Sequence, residues 1–84
     1  MISIYLCDDE ESVRHQLKTA LEWKILMENY DMSVVCAAST AQELLDTARD
    51  SRRGVYFLDV DLKDGVWDGF ALGQELRRRD PHGT

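Results

Sequence analysis

The spacing of apolar positions along the chain alternates between strand-like and helix-like. Ile2-Ser3-Ile4-Tyr5-Leu6 is a short run with β-branched and aromatic members ended by acids, which predicts a buried first strand. From Ser12 to about Met27, Val13, Leu17, Ala20, Leu21 and Met27 form the stripe of an amphipathic helix, interrupted by Lys24 and with Trp23 and Leu26 off it. Asn29-Tyr30-Asp31 breaks that pattern, and Ser33-Val34-Val35-Cys36-Ala37 supplies a second strand of small and β-branched residues.

Thr40-Ala41-Gln42-Glu43 fits a capping box, and Ala41, Leu44, Leu45 and Ala48 then recur at helical spacing, so a second helix is expected to about Asp50 and a stop at Gly54. Val55-Tyr56-Phe57-Leu58 is apolar on both faces, as a strand covered by helices above and below would be, and is expected to be the most buried strand. After a polar stretch, Asp68-Gly69 precedes a helix from about Phe70 to Arg79, whose Gly69, Leu72, Gly73 and Leu76 share a face suited to close packing on a sheet. Pro81 ends it. The order βαβαβα with right-handed crossovers gives an α/β fold, a doubly wound parallel sheet with helices on both faces. The sequence closes on Asp80-Pro81-His82-Gly83-Thr84, where a further strand would be expected to begin, so a piece of a longer protein is expected.

Composition narrows the ligand. With 84 residues, 44% apolar and 31% charged, one Pro and five Gly, the chain is neither low-complexity nor collagen-like and supports one core at most. Sixteen acids against ten Lys and Arg give a net charge of −6, and no face is basic, which argues against gripping nucleic acid by its phosphates. A cation is the more natural ligand. Cys7 and Cys36 are too few for a disulfide framework and sit in apolar runs, where Cys behaves as a small hydrophobe. The N-terminus reaches Asp8 without a basic region or a long apolar stretch, so no signal peptide or membrane anchor is expected, and the protein is expected to be cytoplasmic.

Half of the acids occupy two short segments: Asp8, Asp9, Glu10 and Glu11 after the first strand, and Asp59, Asp61, Asp64 and Asp68 after the third. In a doubly wound sheet, ligands bind outside the carboxyl ends of the strands, where strand order reverses. If the first and third strands are neighbours, about 4.8 Å apart, Asp8 and Asp9 converge on Asp59. Three carboxylates in one small cavity repel one another, whereas a divalent ion neutralises them, and an all-oxygen donor set suits Mg²⁺. A carboxylate beside such an ion can also attack a phosphoryl group, which makes Asp59 a candidate phospho-acceptor. Glu10, Glu11, Asp64 and Asp68 read as solvated loop acids or helix caps, His15 and His82 as solvated side chains, and Arg77-Arg78-Arg79 as a helix end favoured by its dipole. Trp67 in the acidic loop reads equally as a cover for the site or a partner contact and as a partly packed aromatic.

The pair Asp8-Asp9 after the first strand, Tyr56-Phe57-Leu58-Asp59 at the third, and Asp68-Gly69 opening the next helix together resemble the receiver domain of two-component response regulators. That resemblance implies a flavodoxin-like sheet truncated after the third βα unit, with strand order 2-1-3. It further implies that Asp59 accepts phosphate from a histidine kinase, that Asp9 and Asp59 ligate Mg²⁺, that Asp8 helps through water and that Asp61 offers its backbone carbonyl. The hydroxyl residue ending the fourth strand and the lysine ending the fifth would lie beyond Thr84. The family's usual Met-Pro after the acceptor is replaced by Val60-Asp61-Leu62-Lys63-Asp64-Gly65-Val66-Trp67. With Arg77-Arg78-Arg79-Asp80-Pro81, this looks most like receivers that precede a LytTR-type DNA-binding domain, so contact with DNA would run only through such an output domain. In the order 2-1-3 the third strand has an unpaired edge, which is expected to recruit another chain.

Two rival readings use the same acids. Asp59-Val60-Asp61-Leu62 is similar to the D-x-D motif of haloacid-dehalogenase-like phosphatases, with Asp59 as nucleophile and Asp61 as acid-base, but nothing there calls for Asp8-Asp9 on a preceding strand. An EF-hand calcium loop through Asp59, Asp61 and Asp64-Gly65 puts Gly at the seventh position, not the sixth, and Phe70 where a chelating Glu is needed.

Overall fold

A computed structural model describes residues 1–48, 54–59 and 69–83. The elements run β1 (Ile2–Cys7), α1 (Glu11–Glu28), β2 (Met32–Ala38), α2 (Ala41–Thr47), β3 (Val55–Leu58) and α3 (Gly69–Arg79). The strands form one parallel sheet in the order β2-β1-β3, as expected. Ile4 pairs with Val34 but Tyr5 with Cys36, so Val35 is an extra residue in β2, and its side chain stays 46% exposed.

The larger buried cluster lies on one face of the sheet, while Ile4 and Leu6 of β1 are buried on the other. Tyr5 and Cys7 of β1 pack against Ala41, Leu44 and Leu45 of α2 and Leu72 and Leu76 of α3, with Cys36, Tyr56 and Leu58 at the margin. The predicted glycine face of α3 is the packed one: Gly69, Leu72 and Leu76 are buried, and a Cβ on Gly73 would lie 3.7 Å from Leu58 Cδ1. Thr40 caps α2, its Oγ1 accepting from the Glu43 N–H at 3.2 Å, which is half of the capping box. The end of that helix expected near Asp50 lies outside the described residues.

Two expectations are corrected. The most buried strand is β1, where Ile4, Tyr5, Leu6 and Cys7 are all at most 6% exposed. β3 lies at the edge of the described sheet, and Phe57 is 37% exposed. An apolar run reports helices above and below, but the central position depends on strand order, and that puts β1 between the other two. The stripe of α1 is also shifted: Leu17, Leu21 and Ile25 face inward with Arg14 and Lys18, whereas Val13, Ala20 and Met27 point to solvent and no α1 residue is buried. A spacing of four from Leu17 keeps one face over the sheet, whereas Val13 and Met27 fall at its margins. Lys24, on the outer side, interrupts nothing. α1 ends where Asn29 adopts φ 56°, the left-handed conformation Asn tolerates, and donates back to Ile25 and Leu26.

An unexpected bond network closes the far end of β3. Asp80, directly after α3, is 3% exposed, and its Oδ2 accepts from the Gly54 N–H and the Tyr56 hydroxyl, each at 2.8 Å. The Tyr56 ring stacks on Tyr5 with centroids 5.2 Å apart. β3 is thereby fastened to both α3 and β1.

Candidate functional site

The sheet ladder delivers the first acid group to the third. Cys7 pairs with Leu58 on one side and Ala38 on the other. The next residues continue the pattern, the Asp59 N–H donating to Cys7 O at 3.1 Å and the Asp8 N–H to Ala38 O at 3.1 Å. Both acids therefore leave the sheet side by side at its carboxyl end.

Asp8 is held further. Its Oδ1 accepts from the Glu10 N–H at 2.9 Å, which folds the turn before α1, and its backbone O accepts from Arg14 Nη1 at 2.9 Å. That turn presents Asp9. One carboxylate oxygen each from Asp8, Asp9 and Asp59 lies within 4.8 Å of the others, Asp8 and Asp59 half-buried and Asp9 exposed. On a Mg²⁺ octahedron with bonds of about 2.1 Å, ligand oxygens are about 3 Å apart in cis and about 4 Å in trans, so oxygens within 4.8 Å of one another need a small shift, or one bridging water, to share a hard divalent ion. Three like charges so close favour a cation electrostatically.

A cavity of about 160 Å³ opens beside the cluster, with Asp8, Arg14 and Asp59 on its polar side and Leu6, Leu17 and Phe57 on its apolar side. Asp61, Asp64, Trp67 and Asp68 lie outside the described residues. Glu10 occupies the N-cap position of α1 without a side-chain cap bond and accepts from Ser12 Oγ at 3.3 Å; Glu11 is exposed in the first turn. His15 and His82 are exposed, on α1 and in the terminal turn. Cys7 is in the core and Cys36 half-buried, where burial pushes its thiol pKa up; the two form no disulfide.

Sequence reasoning passed over Arg14 and Asp80. The signal for Arg14 was its place one helical turn after Glu10, which turns a cation back towards the strand ends. For Asp80 it was an acid directly after three arginines at a helix end, where the dipole disfavours a carboxylate unless it is bonded elsewhere.

Among known proteins, residues 4–84 match the model of the response regulator receiver domain. The chain is 31% identical over 84 residues to Accessory gene regulator protein A of Staphylococcus aureus and 28% identical to the protein of that name from Staphylococcus epidermidis. Each alignment covers 99% of this chain and 35% of the relative, so the chain spans about a third of their length. No solved structure matches it significantly. No helix of the described residues is long and apolar enough to cross a membrane.

Proposed function

Because this chain belongs to the response regulator receiver family, we propose that it accepts a phosphoryl group on Asp59 from a histidine kinase, with Mg²⁺ held by Asp9 and Asp59, Asp8 acting through water and Asp61 through its backbone carbonyl. The observation that carries this reading is the convergence of the Asp8, Asp9 and Asp59 carboxylates within 4.8 Å.

Asp59 is the nucleophile. Its half-buried carboxylate follows β3 directly, and the backbone bond to Cys7 fixes where it starts. One of its oxygens attacks phosphorus, the bond from phosphorus to the donor's imidazole nitrogen breaks, and an acyl phosphate forms. A bound Mg²⁺ supplies charge neutralisation on the phosphoryl oxygens and on the carboxylates. Asp9, exposed on its turn, and Asp8 keep a negative field that favours the cation. The chain consumes one phosphoryl group per site, so it is a stoichiometric acceptor, and the phosphatase reading through Asp59 and Asp61 gains no support from the family.

We read this chain as the N-terminal part of a receiver. Its resemblance to receivers of LytTR-type regulators, together with relatives named as gene regulators, favours a transcription-regulating output through DNA, in the cytoplasm. Borohydride reduction of the phosphorylated protein followed by peptide mapping tests the assignment: position 59 should be marked. Marking at Asp8, Asp9 or Asp61 instead would contradict it.

A further inference from the structure

Arg14 is the one described side chain of α1 that reaches back to the acidic turn and bonds its backbone. Its Nη1 donates to Asp8 O at 2.9 Å in a half-buried contact six residues apart, and the guanidinium lines the cavity that Asp8 and Asp59 share. Asp8 is thus held at three points: its N–H by Ala38 of β2, its Oδ1 by the Glu10 N–H, and its backbone O by Arg14. The first fixes where the turn leaves the sheet. The other two fix its shape, and the Arg14 side chain ties Asp8 itself to α1, beside the helix's own bond from the Arg14 N–H to Glu10 O at 3.0 Å.

We infer that Arg14 is a positioning residue for the acid pair, holding the turn that carries Asp8 and Asp9 in the geometry that binds a divalent cation. This rests on the reading of Asp8, Asp9 and Asp59 as a metal site. Two effects of the guanidinium oppose each other. Its positive charge repels an incoming cation across the cavity, so a purely electrostatic role would make its removal tighten binding. Its bond to Asp8 O removes freedom from a turn whose carboxylates must otherwise be ordered as the ion binds, so a positioning role makes its removal weaken binding. The sign of the change separates the two.

The test is calorimetric titration of the protein with Mg²⁺, alongside hydrogen exchange of the Glu10 amide without metal. Arg14→Met keeps an apolar stem and removes charge and donor. It should weaken Mg²⁺ binding about tenfold, the usual scale for groups that orient metal ligands, and should speed exchange of the Glu10 amide, whose bond to Asp8 Oδ1 reports the turn. A merely structural role would lower the melting temperature while leaving the dissociation constant of folded protein unchanged. Should Arg14→Met not fold, Arg14→Gln is read by the same criterion. Unchanged or tighter Mg²⁺ binding, or unchanged exchange at Glu10, overturns the inference and leaves the metal site standing. Wild-type protein that binds no Mg²⁺ overturns both.

Discussion

The Asp59 N–H donates to the Cys7 carbonyl at 3.1 Å, one position beyond the last ladder pair of β1 and β3. The bond decides where Asp59 begins relative to Asp8, which follows Cys7 directly. A slip of one residue in the β1–β3 register would send Asp59 to the other face of the sheet. The site therefore depends on strand pairing before it depends on any loop.

Divalent metal should stabilise the protein, because it binds the folded site and not the unfolded chain. Without metal, the three carboxylates within 4.8 Å repel one another, so Asp9→Asn should raise apo stability by about 1 kcal/mol and abolish the gain with Mg²⁺. Thermal melts of both proteins with and without Mg²⁺ check this. An equal rise in the two would place the cation elsewhere.

Asp80 should be among the costliest polar positions. Asp80→Ala leaves the Gly54 N–H and the Tyr56 hydroxyl without their shared acceptor, at a cost of about 3 kcal/mol, whereas Tyr56→Phe removes one bond and costs about 1 kcal/mol. Gly83→Ala strains the same knot, since a Cβ there would lie 2.8 Å from both Asp80 Oδ2 and Tyr56 Cε2. Urea unfolding of the three variants should rank Asp80→Ala lowest.

Glu75 should titrate far below an ordinary carboxylate. Hydrogen bonds from Arg78 and Arg79 hold it down to about 2. A folded pKa below the unfolded value of about 4.3 means the contribution is present above that pH and is lost as pH falls through 2. Both arginines are solvent-exposed, so the effect on stability is small and weakens with salt. A carbon-13 NMR titration of the Glu75 carboxyl checks the midpoint.

The order of elements and the lateral arrangement 2-1-3 were legible, the first from periodicity and the second from the receiver resemblance. So was the meeting of Asp8, Asp9 and Asp59, since acids directly after parallel strands must emerge at one end of the sheet. What stayed hidden depends on tertiary contacts that no local spacing encodes. Phe57 reads as core in an apolar run, yet its burial is set by which strand lies at the edge. The extra residue Val35 looks like any β-branched strand position until it is paired. Arg14 and Asp80 carry no such signal in their spacing, because the bonds described for their side chains go to backbone and hydroxyl groups of distant residues.

The β3 edge should carry association. Among the described residues β3 pairs only with β1, and Phe57 is 37% exposed beside the open side. An edge strand of this kind gains by pairing with another chain. Sedimentation of the 84-residue polypeptide should show concentration-dependent self-association, reduced in Phe57→Lys. A monodisperse monomer at high concentration would show that the three βα units suffice by themselves.

Metal-dependent phosphorylation of Asp59 is read by intact-mass measurement after incubation with a small phosphodonor. One phosphoryl group should add to the wild type with Mg²⁺, none after chelation, and none in Asp59→Asn. Equal phosphorylation of Asp59→Asn, or full phosphorylation without divalent metal, would contradict it.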